Sequence, residues 1–274
     1  MKSSSTSRFY HGGHLGDLVC ALYSIMKHGG GELYIGPHSH PCWNEKLRKA
    51  AAPLCAYQPY ITKAEVVDET PEDLTYDFTL SWAHQLQTHD YVKGIGYHFE
   101  HSHNSIASCG LKKRDLINLF KEKHSLREIL RMLNHDEAWL VAPETKDFDV
   151  VCHLPHTKLV RPADQWKELF KSMHHAGLKI ALIGSQEVEL WGDNHFWELV
   201  QPTDLLDAAD YINSAKLFIG VSSCNNAIAE GLDQFRFVEC EEAWGTEPQN
   251  ERGWKINDWS AERVMNTVNL LCKT

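Results

Sequence analysis

A short apolar run that stops at a glycine, followed by two serines and a helix-compatible stretch, is the most constraining pattern in this chain. The run from Lys216 to Ile219 leads into Gly220, Val221, Ser222, Ser223, Cys224 and Asn225. Ile228, Ala229 and Leu232 then follow at helical spacing. Such a segment reads as a buried strand, a tight polar turn and a helix, with Ser222 and Ser223 as natural N-caps. First-turn amides have no partner inside their own helix and sit at the positive end of its dipole, so a turn of this kind receives anions. A capped helix with nothing bound fits the same residues.

A second turn of similar character lies near the N-terminus. Arg8 to Tyr10 reads as strand, His11, Gly12, Gly13, His14 and Gly16 as a bend, and Asp17 to Lys27 as an amphipathic helix. Glycines there let a ligand or another segment approach the backbone. The spacing of Gly12, Gly13 and Gly16 does not fit the dinucleotide fingerprint and no P-loop lysine follows, which disfavours a nicotinamide enzyme or a P-loop ATPase.

Strand and helix signals alternate along the rest of the chain, the pattern of parallel sheets flanked by helices. Gly31 to Ile35 is predicted as strand, Glu45 to Ala52 as helix, and Tyr76 to Ser81 as a strand whose end carries Trp82 and His84 toward the Gly12-Gly13 edge. A long helical region, Leu111 to Asn134, follows. A polar stretch around Pro143 then divides the chain into two expected domains, 1–145 and 146–274. In the second, strands are predicted at Asp149 to His153, Lys179 to Ile183 and Phe235 to Glu239, and helices at Pro162 to Ala176, Thr203 to Asn213 and Ser260 to Leu271. The fold class is therefore α/β, two Rossmann-like doubly wound domains. Facing one another, they would place both turns on one cleft, because ligands bind beyond the carboxyl ends of such strands.

A length of 274 residues suits two cores, and 43% hydrophobic residues can fill them. The formal charge of −10 argues against a surface built to hold nucleic acid. One basic stretch, Lys112 to Arg131, reads as a solvated helix face. The eight cysteines are scattered without a Cys-x-x-Cys pair, so neither a zinc ribbon nor a redox motif is indicated. No signal peptide or membrane span is visible, and the expected location is the cytoplasm. His98, His101 and His103 lie close enough together in sequence to reach one ion, but no Asp or Cys ligand is fixed beside them, and the expectation is no metal site. Trp191, Trp197, Trp244, Trp254 and Trp259 are candidates for stacking on a sugar or base, or for core packing. Without a Gly-x-Ser-x-Gly elbow, a Ser-His-Asp hydrolase is not supported.

The two turns, in this order, resemble those of heptosyltransferase-like glycosyltransferases of GT-B fold. Leu15-Gly16-Asp17-Leu18 matches the first, and Leu205 to Ile212 running into Leu217 to Leu232 matches the second. The resemblance covers both ends of the chain. Where many family members carry Asp-Ser-Gly-Pro, this chain has Ser222-Ser223-Cys224-Asn225, so a carboxylate common at that turn is missing. The resemblance implies transfer of a sugar from a nucleotide-sugar donor to an acceptor hydroxyl, without cofactor or metal. Asp17 would be the general base and His14 its neighbour in the catalytic turn. His11, Gly12, Gly13, Trp82 and His84 would lie on the acceptor side. Lys158 and Arg161, in the segment after the first strand of the second domain, would neutralise the leaving diphosphate, joined by Ser222, Ser223, Cys224 and Asn225. Gly184 and Ser185 would border the nucleotide. A saccharide is the favoured acceptor; a modified DNA base or a protein side chain, a non-catalytic nucleotide-sugar binder and a GT-B-type epimerase are the other readings left open. Nothing in the sequence speaks to oligomeric state.

Overall fold

The computed structural model describes residues 6–13, 15–37, 43–77, 138–154, 162–184, 195–221, 223–239, 252–256 and 261–272. The chain divides into two compact units, Met1–Val141 and Ala142–Thr274. The predicted helix 111–134, with its basic face, lies outside the described residues, as do Trp82, His84, His98, His101 and His103.

Unit 1 begins with β1 (Arg8–His11), α1 (Leu15–Lys27), β2 (Gly31–Ile35), α2 (Glu45–Tyr57), β3 (Ile61–Val66) and β4 (Tyr76–Asp77). All pairings in its sheet are parallel, in the order β3-β2-β1-β4. Leu18, Val19, Leu22 and Ile25 of α1 are fully buried against the strands. Helix α2 starts on Asn44, whose side chain accepts from Leu47 N at 3.0 Å, with Glu45 in the first turn ion-paired to Lys49.

The helix expected to stop at Ala52 runs on through Pro53 to Tyr57. A proline removes one helical hydrogen bond, which here falls on the exposed turn of Lys49, while Leu54 and Cys55 just beyond it are 1% exposed and anchor the last turn in the core. Strand β3 escaped prediction because Thr62, Lys63 and Glu65 interrupt its apolar positions, as an edge strand permits.

Unit 2 contains β5 (Val150–His153), α3 (Ala163–His175), β6 (Ile180–Ile183), β7 (Glu198–Val200), α4 (Leu205–Ser214), β8 (Leu217–Val221), α5 (Cys224–Gly231), β9 (Arg236–Glu239), β10 (Gly253–Lys255) and α6 (Ala261–Cys272). Its six parallel strands are ordered β10-β9-β8-β5-β6-β7, so the chain winds outward from β5 in one direction, returns to β8, and winds outward in the other.

The core of unit 2 follows from simple periodicity. Trp166, Leu169, Phe170 and Met173 form one buried stripe of α3 and pack with Val150, Cys152, Leu217 and Ile219. Trp197, a stacking candidate in the sequence, belongs to this core, edge-on to Phe170 at 5.6 Å. Trp254 sits on edge strand β10, stacked on Phe235. Helix α3 ends on Gly177 (φ +87°), whose N–H donates to His174 O at 2.8 Å, and α4 starts on Asp204, whose carboxylate accepts from Leu206 N and Asp207 N. Arg236 is the charge that interrupts the β9 run. It is fully buried with Glu230 at 3.4 Å, and burial pulls its pKa down against the opposing pull of Glu230 and Asp233.

Candidate functional site

In unit 2 the winding reverses between the adjacent strands β5 and β8. In open α/β sheets such a reversal is where ligands bind, beyond the carboxyl ends of the strands. The register sets His153, the last residue of β5, opposite Gly220 of β8. Two residues after β8, Ser223 occupies the N-cap of α5 in an extended conformation (φ −154°, ψ 176°). His153 Nδ1 and Ser223 Oγ are 3.1 Å apart, joining the end of β5 to the start of α5.

This contact changes what the turn is. A serine at an N-cap ordinarily accepts from a first-turn amide. Ser223 makes no such bond, and its hydroxyl lies within hydrogen-bond distance of the imidazole. Helix α5 thus begins without a side-chain cap and without an acidic residue in its first turn. Asn225 and Asn226 each hold a buried side-chain oxygen with no hydrogen-bond partner. On the other side of β5, strand β6 is followed by Gly184 (φ +148°), whose N–H donates to Val200 O at 3.2 Å. His153, Gly184, Ser223, Cys224 and Asn225 therefore share one sheet edge. Of the predicted donor-side residues, Lys158, Arg161, Ser185 and Ser222 lie outside the described residues.

His153 was not singled out in the sequence, although it opens the segment holding Lys158 and Arg161. Glu239 was missed as well. It ends β9 opposite Val221 and is 1% exposed, a buried carboxylate at the same edge. The available signal for both was a titratable residue terminating an apolar strand.

Unit 1 has its own reversal, between β1 and β4, and the Gly12-Gly13 bend leaves β1 at that point. Asp17 is the third residue of α1, in the helix's first turn, where the dipole favours a carboxylate. His14 lies outside the described residues. The ends of β1 and β2 are tied together by Gly36 N donating to His11 O at 3.0 Å and Trp43 Nε1 donating to Gly36 O at 2.7 Å. A Cβ on Gly36 would run into the Tyr10 hydroxyl, which donates to Pro37 O.

His11, placed on the acceptor side from the sequence, is 0% exposed and edge-on to Trp43. Gly12 and Gly13 are buried too. A strand end that reads as a loop start in sequence is here still inside the sheet, because β1 runs one residue further than predicted.

Among the described residues, no group of three or more His, Cys, Asp or Glu side chains is arranged to hold a metal ion, and no helix is long and apolar enough to cross a membrane.

No protein-family model matches the sequence, and no curated protein matches it. Solved structures do match. Escherichia coli ADP-heptose LPS heptosyltransferase II aligns with 98% of this chain and 99% of its own at a TM-score of 0.58 and 13% identity. E. coli heptosyltransferase WaaC with ADP aligns over 96% and 97% at a TM-score of 0.57 and 10% identity. A glycosyl transferase family 9 protein from Veillonella parvula aligns over 100% and 99% at 0.55 and 11%. The fold is thus the GT-B arrangement of heptosyltransferase-like glycosyltransferases.

Proposed function

We propose that this protein is a metal-independent glycosyltransferase that moves a sugar from a nucleoside-diphosphate-sugar donor to an acceptor hydroxyl, a saccharide in the first instance. The observation that carries the reading is the His153–Ser223 contact across the strand reversal of unit 2, beside a helix start whose N-cap serine makes no cap hydrogen bond. Such an edge offers amides and short polar groups to a diphosphate. The GT-B fold, matched over nearly the whole chain by a heptosyltransferase structure holding ADP, makes a nucleoside diphosphate the anion to expect.

In this reading the donor diphosphate lies at the start of α5, against Ser222, Ser223, Cys224 and Asn225, with the nucleotide bordered by Gly184 and Ser185. As the bond between the anomeric carbon and the phosphate oxygen breaks, negative charge collects on the departing diphosphate. Lys158 and Arg161 neutralise it, the part a divalent ion plays in other transferases. The acceptor oxygen bonds to the anomeric carbon and its proton passes to the Asp17 carboxylate, with His14 hydrogen-bonded to donor or acceptor. Gly12 and Gly13 form the floor of the acceptor side, which Trp82 and His84 border.

The test is a thermal-shift series with ADP, UDP, GDP, CDP and TDP, ADP first. One of them should raise the melting temperature, since a ligand at about a hundred times its Kd contributes about 2.7 kcal/mol. Lys158→Ala should abolish that shift and Asp17→Asn should keep it. No stabilisation by any of the five would overturn the reading.

A further inference from the structure

The proposed chemistry leaves His153 without a role, and its contact with Ser223 supplies one. Both residues are half-buried, so neither is closed off from a ligand at this edge. Nδ1 and Oγ lie 3.1 Å apart, within hydrogen-bond distance, and the serine makes no cap bond that would commit it to α5. A neutral imidazole can hold such a contact with Nδ1 as donor or as acceptor. An imidazolium can hold it only as donor, because both of its nitrogens carry protons. Ser223 Oγ then accepts, and its own O–H is left to donate elsewhere.

The neighbouring elements bear on which form is held. Strand β8 sets Gly220 level with His153, and β6 ends in Ile183 followed by Gly184, none of them titratable. Helix α5 brings Cys224 in its first turn, while Glu230 near its far end is paired with Arg236. Helix α4, which packs on α5, carries three aspartates with partners of their own. Asp204 accepts from Leu206 N and Asp207 N, Asp207 pairs with Lys146 and accepts from Thr203 N, and Asp210 accepts from Thr145. Glu239 of β9 is level with Val221, one residue beyond Gly220, so strand alternation puts it on the other face of the sheet from His153. The positive end of the α5 dipole opposes an imidazolium, and an anion held there reverses that balance.

We propose that His153 is a donor-binding residue that becomes charged on binding. With the diphosphate at the start of α5, the imidazole takes up one proton from solvent, Nδ1–H donates to Ser223 Oγ, and the serine O–H donates to a phosphate oxygen. One proton thus places both a positive charge and a correctly directed hydroxyl beside the ligand. The assignment rests on the transferase reading. Because linkage is reciprocal, a ligand that favours the imidazolium binds more tightly where the proton is already present, so affinity rises as pH falls through the imidazole range, ordinarily about 6.5.

The test is affinity against pH, measured by isothermal titration calorimetry on the full chain and on His153→Gln, with whichever of ADP, UDP, GDP, CDP and TDP stabilises the parent. Glutamine keeps a polar side chain but takes up no proton. The nucleotide's own terminal phosphate titrates alike with both proteins, so the difference between them reports His153. Between about pH 6 and about pH 8 the Kd of the parent should weaken about tenfold more than that of the variant. Binding heats compared in PIPES and in Tris near pH 7 should show proton uptake by the parent that the variant lacks. Equal pH dependence in the two proteins would overturn the proposal and leave the transferase reading standing, whereas no binding of any of the five to the parent would overturn both. Should the variant fail to fold, the imidazole of His153 followed by NMR in the parent decides. Its titration midpoint should rise by about one pH unit on saturation with nucleotide, and an unmoved midpoint refutes the proposal.

Discussion

Gly220 links the stability of unit 2 to its proposed ligand. A Cβ at this position would lie 2.5 Å from Phe218 Cζ, 2.6 Å from Cε1 and 3.3 Å from His153 O. Phe218 is fully buried, so its ring cannot swing into solvent, and His153 O belongs to the paired backbone of β5. Gly220→Ala should therefore act as overpacking and cost about 1–3 kcal/mol. In a domain of this size that is a drop in melting temperature of roughly 3–15 °C.

The displaced atoms are those that set the ends of β5 and β8, where His153 meets Ser223. Stabilisation by the cognate nucleoside diphosphate should accordingly shrink as well. Gly177→Ala is the control. Gly177 has φ +87° with nothing within 4 Å of its added Cβ, at the end of α3 that leads into β6, the opposite edge of the sheet. It should lose about 1–2 kcal/mol through left-handed strain alone and keep its nucleotide response. Gly177→Asn should recover part of that loss, because asparagine tolerates this conformation; Gly220→Asn should recover nothing. The assay is a melting curve with and without nucleotide for all four variants. A Gly220→Ala protein as stable as its parent, or one destabilised with its nucleotide shift intact, would refute the reasoning.

Asp17→Asn should lower transfer by about 10²–10⁴, the usual weight of general base catalysis, while nucleotide binding is unchanged; single-turnover transfer with the donor identified by melting decides it. Burial pushes the Cys55 thiol up to about 12 and Cys152 well above its ordinary range. Both should stay unmodified by a maleimide near pH 8, where thiolate is the reactive species, until denaturant is added; mass spectrometry of the labelled peptides reads this. For Asp207, burial raises the carboxyl pKa, but the Thr203 amide and Lys146 outweigh it and the net value lies below the ordinary 3.8. Its contribution to stability is therefore present above that value and lost as pH falls through the depressed one, and Asp207→Asn should flatten this part of the acid-unfolding curve measured by circular dichroism.

Elements with a strong local signature were legible from the sequence. Gly31–Ile35 stands where the apolar run and its glycine put it, and α3 follows from four large residues at helical spacing. Three strands were not seen, and each is an edge or near-edge strand whose identity depends on a neighbour. Strand β3 alternates lysine and glutamate with its apolar positions, while β7 and β10 are three residues long. Pairing makes such segments strands, and pairing is not written in their composition. Arg236 is a similar case. A charge inside an apolar run argues against burial until Glu230, on the preceding helix, supplies its partner.

The candidate site was legible in the same uneven way. The strand, turn and helix around Ser223 are local, and so were found. Whether that serine caps its helix is not local, because a capping serine and a spare one share the same sequence pattern. The side chain that meets the serine comes from the adjacent strand, and β5 brings His153 there because its register with β8 sets that residue level with Gly220. A bulkier residue in place of Gly220 would press on Phe218 and on the His153 carbonyl at that point. The glycine that marks the end of an apolar run in sequence is therefore, in the fold, where two strand ends lie close, with the His153 imidazole 3.1 Å from the Ser223 hydroxyl. Ser223 makes no side-chain cap bond to the first turn of α5, and a helix start of that kind suits an anion.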